Sequence, residues 1–237
     1  MRRSTAIRAI VSAAGLLLAG CGGGDAGAGT VPGRTEPTPA ASQPAVTAAQ
    51  PGVATRKPDQ IVDIRPPQEG RPSLFLVGDS LGVGMARDLQ ADLPGWTVSV
   101  DVRNGLVAGI GMPLWRAQQT PYTVSAFSLF TNDDPANLAG LEQVVRESVE
   151  RVFSQCAIWA TIRAPPRNGV TFDAANALLH RLAGEYPGRL FIVPWAETVT
   201  ARSELDLGDY VHATDEGYAV RARLFAEAAR RCVRQAA

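Results

Sequence analysis

The sequence has few residues that bind metals and no excess of either charge. It has 2 His and 3 Cys in 237 residues, and these five are too scattered to form the paired spacings of a zinc site. The 23 Lys and Arg equal the 23 Asp and Glu, and no basic block is present to displace counterions from a nucleic acid. We therefore expect neither a metal centre nor a nucleic-acid partner.

Aromatic residues are absent from residues 22–70, where Gly, Ala and Thr are frequent. The same stretch contains many of the 17 Pro of the chain. Such a composition cannot bury enough apolar surface to offset the entropy that is lost when a chain is ordered. We therefore predict that residues 22–70 form a disordered tether.

Residues 1–21 have the pattern of an export signal. Arg2, Arg3 and Arg8 precede a short apolar run over residues 10–18, which is too short for the roughly 20 apolar residues of a membrane-spanning helix. Leu18-Ala-Gly-Cys21 resembles the bacterial lipobox, which implies cleavage before Cys21 and lipidation of its thiol. The alternative is an ordinary signal peptide in which Cys21 is incidental. We expect an exported protein, bound to the bacterial cell membrane through this lipid only.

Strand and helix patterns alternate along residues 71–237. Short apolar runs predict five strands, at residues 73–77, 96–102, 124–130, 157–163 and 190–194. Amphipathic patterns predict helices at residues 81–93, 106–118, 137–153, 172–186 and 215–234. This alternation is typical of a parallel sheet with helices on both faces. We expect an α/β domain over residues 71–237 with a five-stranded parallel sheet.

Ser80 follows the first predicted strand of this domain, in the segment Gly78-Asp-Ser-Leu-Gly82. Ligands of parallel sheets bind at the carboxyl ends of the strands, and the start of a helix favours developing negative charge. The segment also fits the G-x-S-x-G elbow of α/β-hydrolases. That elbow follows several strands, whereas here only one precedes it, so the pattern does not favour that fold.

Asp209 and His212 lie three residues apart, ahead of the last predicted helix. A serine hydroxyl is a weak nucleophile that needs a base, commonly a histidine oriented by a carboxylate. Thr214 is a candidate N-cap of the helix, so that His212 would precede a rigid element. The alternative is an exposed loop histidine.

Gly105 and Asn132 follow the second and third predicted strands. An amide side chain can donate to an oxyanion, and a glycine lets its N–H approach a reacting oxygen closely. Taken singly, either residue is more typical of a turn. Together, at the ends of successive strands, they predict an oxyanion hole.

The order Gly-Asp-Ser-Leu at 78–81, Gly105, Asn132-Asp133 and Asp209-x-x-His212 resembles the SGNH, or GDSL, hydrolase superfamily over residues 71–237. The resemblance implies a flavodoxin-like three-layer α/β/α sandwich and a serine hydrolase that acts on esters without a cofactor. It implies that Ser80 is the nucleophile, His212 the general base and acid, and Asp209 the orienting carboxylate. The implied oxyanion hole combines the N–H groups of Ser80 and Gly105 with the side chain of Asn132.

Phe130 departs from the superfamily pattern, which has a glycine two residues before the asparagine. We expect the larger side chain to narrow the acyl pocket or to shift Asn132. The resulting hypothesis is an esterase or deacylase for a small acyl ester, such as an acylated glycan of the cell envelope. Two alternatives stay open, namely an O-acyltransferase to a glycan hydroxyl and a catalytically silent envelope-binding lipoprotein.

Two cysteines, Cys156 and Cys232, remain after the lipobox Cys21. An exported protein matures in an oxidising compartment, where such a pair forms a disulfide. We predict a Cys156–Cys232 bridge, and the alternative is two buried free thiols.

Overall fold

The computed structural model describes residues 58–151 and 154–236. Six strands form one sheet: β1 (Gln60–Asp63), β2 (Ser73–Gly78), β3 (Thr97–Arg103), β4 (Val124–Ser128), β5 (Cys156–Ala160) and β6 (Leu190–Val193). The described helices are α1 (Ser80–Asp92), α2 (Ala108–Arg116), α3 (Leu138–Glu150), α4 (Asp173–Glu185), α5 (Trp195–Ala201) and α6 (Asp215–Ala236), with a short 3-10 helix at Ser203–Leu205.

The sheet has the strand order β1-β3-β2-β4-β5-β6, and strands β2 to β6 pair in parallel. Without β1, this is the doubly wound order of flavodoxin-like folds. Every residue of β2, β4 and β5 is buried, as expected for parallel strands covered on both faces. The predicted three-layer α/β/α sandwich is therefore confirmed.

Strand β1 corrects the predicted strand count, because the sheet has six strands instead of five. It pairs antiparallel with β3 at one edge and lies within residues 22–70, which the sequence predicts as tether. Ile61 packs against the core, whereas Val62 is 51% exposed. The ordered fold therefore begins before residue 71. The predicted signal peptide, Cys21 and the tether up to residue 57 lie outside the described residues.

Two apolar clusters fill the space between the sheet and its two helical layers. Helices α1, α5 and α6 cover one face, and α2, α3 and α4 cover the other. In the second cluster Phe127 stacks on Trp159 at 4.8 Å and meets the edge of Trp115 at 5.5 Å. The indole N–H of Trp159 donates to the Ser148 hydroxyl at 3.0 Å, so that the buried polar group of this ring is satisfied.

A disulfide joins Cys156, at the start of β5, to Cys232 in the C-terminal part of α6. The two Cα atoms are 6.2 Å apart, within the usual range for a bridge. The structure thus confirms the predicted disulfide, which ties the last helix to the sheet. Within the described part of the chain, no helix is long and apolar enough to cross a membrane.

Candidate active site

Three neighbouring strands end at the same level of the sheet. Gly78 of β2 is paired with Val102 of β3 and with Ser128 of β4. Ser80, two residues past this row, therefore shares one edge of the sheet with the loops that follow β3 and β4. Residue 78 is restricted to glycine, because a Cβ there would lie 2.9 Å from the Cβ of Ser128. The close packing keeps this turn tight.

The turn between β2 and α1 places Ser80 at the first position of the helix. The carboxylate of Asp79 caps the helix by accepting the N–H of Leu81 at 3.0 Å. Complete burial raises the pKa of Asp79, while the nearby charge of Arg221 and hydrogen bonds to the carboxylate act in the opposite direction. The serine thus stands on a rigid, capped helix start.

Ser80, His212 and Asp209 form a continuous chain of hydrogen bonds. The Nε2 atom of His212 lies 3.1 Å from the Oγ atom of Ser80, and its Nδ1 atom lies 2.7 Å from Oδ2 of Asp209. A carboxylate facing Nδ1 selects the tautomer with a proton there, which leaves Nε2 free to accept the serine proton. The geometry is that of a serine activated by a base.

The loop from 206 to 213 holds Asp209 and His212 rigidly in relation to each other. The other carboxylate oxygen of Asp209 accepts the N–H groups of Val211 at 2.9 Å and of His212 at 2.7 Å. Burial opposes ionisation of Asp209, but these bonds and the His212 ring outweigh it and hold the pKa of the carboxyl below its usual value. Asp209 is therefore ionised when it faces the imidazole.

The final helix begins directly after this loop. Thr214 accepts the N–H of Gly217 at 3.1 Å with its hydroxyl, as expected of an N-cap. The backbone N–H of Thr214 donates to the carbonyl of Leu205 at 2.9 Å, which closes the base of the loop. These contacts hold His212 next to a fixed element.

The candidate oxyanion residues lie in two loops that bond to each other. The Nδ2 atom of Asn132 donates to the carbonyl of Leu106 at 3.2 Å, and Gly105 before it has a φ of 71°. Asp133 accepts the N–H of Ala108 with both oxygens, at 3.0 and 3.2 Å. An amide nitrogen carries two protons, so Asn132 keeps one for a reacting oxygen.

Arg167 supports the loop that carries Asn132, and no pattern in the sequence predicts this role. Its guanidinium donates to the carbonyls of Asn132 at 2.7 Å and Thr131 at 3.1 Å. These bonds fix the backbone from which the Asn132 side chain extends. Arg167 lies in an irregular segment after β5, where sequence patterns do not predict long-range contacts.

The prediction that Phe130 narrows the acyl pocket is wrong. Its side chain is buried in the cluster beneath α2, α3 and α4, and it lines neither of the clefts described below. Its φ of 79° is in the left-handed region, which favours glycine. The backbone therefore keeps the shape that a glycine would adopt, and the aromatic ring is accommodated in the core.

A buried arginine, Arg221 of α6, completes a polar cluster next to Asp79. It donates to the Ser128 hydroxyl at 3.0 Å, and that hydroxyl lies 3.4 Å from the Asp79 carboxylate. The guanidinium lies over the ring of Trp195 at 5.0 Å. Burial lowers the pKa of Arg221 to about 10, against the opposing charge of Asp79. Sequence patterns missed this residue because an arginine in a charged helix is expected on the exposed face.

Ser80 and His212 open into a cleft of about 580 Å³. Its walls include Val83 and Gly84 of α1 and Tyr218 of α6. A Cβ at Gly84 would lie 2.0 Å from Cε1 of Tyr218, so the two helices approach closely here only because residue 84 is a glycine. The cleft is large enough for a small acyl group.

The architecture has counterparts among solved structures. The C-terminal catalytic domain of Streptococcus pneumoniae peptidoglycan O-acetyltransferase A is 16% identical and covers 70% of this chain and 94% of its own, with a TM-score of 0.53. The esterase EstA from Pseudoalteromonas is 14% identical and covers 68% and 98%, with a TM-score of 0.53. No family model and no curated protein sequence matches the chain.

A protein from Slackia heliotrinireducens assigned to the SGNH hydrolases is 16% identical and covers 67% of this chain and 99% of its own, with a TM-score of 0.50. The chain therefore has the SGNH hydrolase fold. The described residues bring Ser80, His212 and Asp209 together at one edge of that fold, with Asn132 and Gly105 in the loops beside it.

Proposed function

We propose that the protein is a serine hydrolase that cleaves small acyl esters through an acyl-enzyme. The observation that carries this proposal is the hydrogen-bonded chain from Ser80 through His212 to Asp209, at 3.1 and 2.7 Å. Solved structures of the same fold include an esterase, which supports the same reaction class.

In the proposed mechanism, Nε2 of His212 takes the proton of Ser80 as its oxygen attacks the ester carbonyl. The N–H groups of Ser80 and Gly105 and the amide of Asn132 donate to the oxyanion that forms. Collapse of this intermediate breaks the bond to the alcohol, which leaves with the proton from His212. Water then attacks the acyl-Ser80 in the same way and releases the carboxylic acid and the free enzyme.

An acylated glycan of the cell envelope is our proposed substrate. The cleft at Ser80 suits a small acyl group, and the pneumococcal domain of the same fold is described as part of a peptidoglycan O-acetyltransferase. That description also favours a second candidate function, in which a sugar hydroxyl instead of water accepts the acyl group. The two reactions share the acyl-Ser80 and differ only in the acceptor.

Hydrolysis of p-nitrophenyl acetate tests the proposed activity. We expect the wild-type protein to release p-nitrophenol, and Ser80→Ala and His212→Ala to reduce kcat by about 10³-fold or more. Two matched controls, Ser203→Ala and His180→Ala, change an exposed serine and the second histidine and should keep the wild-type rate. Equal rates for the wild type and Ser80→Ala would overturn the proposal.

Adding a glycan oligosaccharide to the same reaction separates hydrolysis from transfer. Mass spectrometry of the sugar should show no acetylated product if water is the acceptor. An acetylated oligosaccharide that disappears with Ser80→Ala would instead establish transfer.

The cellular location is proposed from residues 1–21, which resemble a lipoprotein signal ending at Cys21. The protein would be anchored outside the cytoplasm through this lipid. Changing Cys21→Ser should release it from the membrane fraction, and continued sedimentation with membranes would contradict the lipid anchor.

A further inference from the structure

A second cleft borders the same loop that carries Asp209 and His212. Its volume is about 440 Å³, and its walls include Arg163, Pro165, Phe172, Asn176 and Tyr210. Tyr210 belongs to the loop from 206 to 213, which carries Asp209 and His212. Arg163 follows β5 at the edge of the sheet where Ser80 lies. A group bound in this cleft would therefore lie beside the site of the proposed reaction.

Tyr210 is held with its ring at the cleft. Its φ of 62° is in the left-handed region, which is unfavourable for an aromatic residue, and the residue is 58% exposed. Asp206 maintains this conformation, because Oδ1 accepts the N–H groups of Gly208 at 2.6 Å and Tyr210 at 3.3 Å. Backbone strain at a residue whose exposed ring lies beside Asp209 and His212 is typical of a binding site.

Arg163 brings a positive charge into this cleft, where no residue of the described part of the chain forms an ion pair with it. Its Cζ atom lies 5.1 Å from the centroid of the Tyr210 ring. Its Nε atom is buried, and within residues 58–151 and 154–236 that atom has no hydrogen-bond acceptor and the guanidinium no ion pair. Many other arginines among the described residues form ion pairs with carboxylates, among them Arg65, Arg103, Arg116, Arg146, Arg181 and Arg202.

The remaining walls fit a sugar ring that carries a negatively charged group. Pro165, Phe172 and the face of Tyr210 are apolar surfaces of the kind that line small-molecule sites. The carboxylate of Asp173 also borders the cleft, where it accepts the Thr171 hydroxyl at 2.8 Å and forms no ion pair with Arg163. A guanidinium fork matches the paired oxygens of a carboxylate or a phosphate.

We propose that this second cleft binds an oxyanion, carboxylate or phosphate, on the sugar part of the ester substrate, with Arg163 as its donor and Tyr210 in the wall beside the sugar. The inference rests on the proposed esterase function and specifies its substrate class as an acylated anionic sugar. Such a subsite makes Arg163 a specificity-determining residue, because it discriminates among esters with the same acyl group.

Three acetyl esters with the same sugar ring test this subsite. These are 6-O-acetyl-N-acetylglucosamine, which is neutral, 6-O-acetyl-N-acetylmuramic acid, which adds a carboxylate, and 6-O-acetyl-N-acetylglucosamine 1-phosphate. We expect kcat/KM of the wild type to be about tenfold or more higher for at least one anionic ester than for the neutral ester. Comparison of the two anionic esters identifies the preferred oxyanion.

Variants of the arginine separate charge recognition from folding. Arg163→Gln should abolish the preference for the anionic ester, and Arg163→Lys should restore part of it because the charge is kept. Arg181→Gln, which removes a surface arginine of α4 paired with Glu185, should retain the wild-type preference. Raising the salt concentration should also weaken the preference, because it screens the charge.

Equal kcat/KM for the three esters, or a preference that survives Arg163→Gln, would overturn the inference. Turnover of p-nitrophenyl acetate without turnover of either anionic sugar would overturn it as well. These outcomes leave the esterase proposal intact, whereas failure of the wild type to cleave any ester would overturn both.

Discussion

At the level of single residues, Phe130 combines a buried aromatic ring with a backbone that favours glycine. The left-handed φ of 79° costs about 1–2 kcal/mol for a residue with a side chain. Removing a buried phenylalanine ring costs about 3–5 kcal/mol. Because removing the ring costs more than the backbone strain, the Phe130 ring stabilises the fold in spite of that strain.

Substitutions at residue 130 should therefore destabilise the protein in a defined order. We expect Phe130→Gly to lower the free energy of unfolding by roughly 1–4 kcal/mol, and Phe130→Ala by about 1 kcal/mol more, because only glycine relieves the strain. Urea unfolding of the two variants and the wild type measures this. Equal stability of the alanine and glycine variants would show that the backbone at residue 130 is not strained.

Asn132 is the candidate oxyanion donor whose side chain can be removed. We predict that Asn132→Ala lowers kcat for p-nitrophenyl acetate by about 10²–10³-fold with little change in KM, since the lost bond forms in the transition state. Steady-state kinetics of the wild type and Asn132→Ala test this. A loss below about threefold would remove Asn132 from the proposed mechanism.

The residues of the candidate site differ in how far the sequence predicts them. Ser80, Asp209 and His212 belong to short motifs whose spacing is local, and the structure brings them within hydrogen-bonding distance. Ser80 and His212 are 132 residues apart, so it is the motif at each position that identifies them. Arg167 and Arg221 also act through long-range contacts, over 35 and 93 residues, but they belong to no such motif. No local pattern predicts such contacts, since they depend on which loops the fold brings together.

At the level of elements, periodic helices and wholly apolar strands such as β6 are predictable from the sequence, whereas short elements without either pattern are not. Helices α1, α3 and α4 begin within one residue of the predicted positions. Strand β1 and helix α5 are 4 and 7 residues long and were missed. Both are too short for a periodic pattern, and their formation depends on packing, as for Trp195 of α5, which is buried against the sheet.

The disulfide between Cys156 and Cys232 stabilises the attachment of α6 to β5. It closes a loop with a sequence separation of 76 residues, which limits the freedom of the unfolded chain. We predict that the double variant Cys156→Ser/Cys232→Ser lowers the free energy of unfolding by up to about 4 kcal/mol. Urea unfolding with and without a reductant should show a shift for the wild type and none for the double variant. A wild-type midpoint that the reductant does not change would contradict this account.

At the level of the whole molecule, ion pairs on the surface contribute to the response of stability to acid. Hydrogen bonds from Arg146 lower the pKa of Glu142 and Glu185, and those from Arg116 lower the pKa of Glu147. A carboxyl whose pKa is lower in the folded state contributes stability above its unfolded pKa of 4.5 and loses it as the pH falls. Burial raises the pKa of Asp79 and Asp133, which therefore act with the opposite sign.

We predict that the ion pairs of Glu142, Glu147 and Glu185 lose their contribution to stability as the pH drops below about 4.5. The urea midpoint measured between about pH 6 and pH 3 at low salt tests this. Arg146→Gln, which removes the partner of Glu142 and Glu185, should make the decline shallower. Identical slopes for the two proteins would contradict the role of these pairs.

Covalent labelling of the serine shows directly whether His212 activates Ser80. Phenylmethylsulfonyl fluoride reacts when an activated serine oxygen attacks its sulfur and fluoride leaves, with the serine proton passing to the base. We predict one sulfonyl adduct on Ser80 of the wild type by mass spectrometry, none on Ser80→Ala, strongly slowed labelling of His212→Ala and normal labelling of His180→Ala. An unlabelled Ser80, or labelling at the same rate in His212→Ala, would contradict the account of Ser80 as a nucleophile activated by His212.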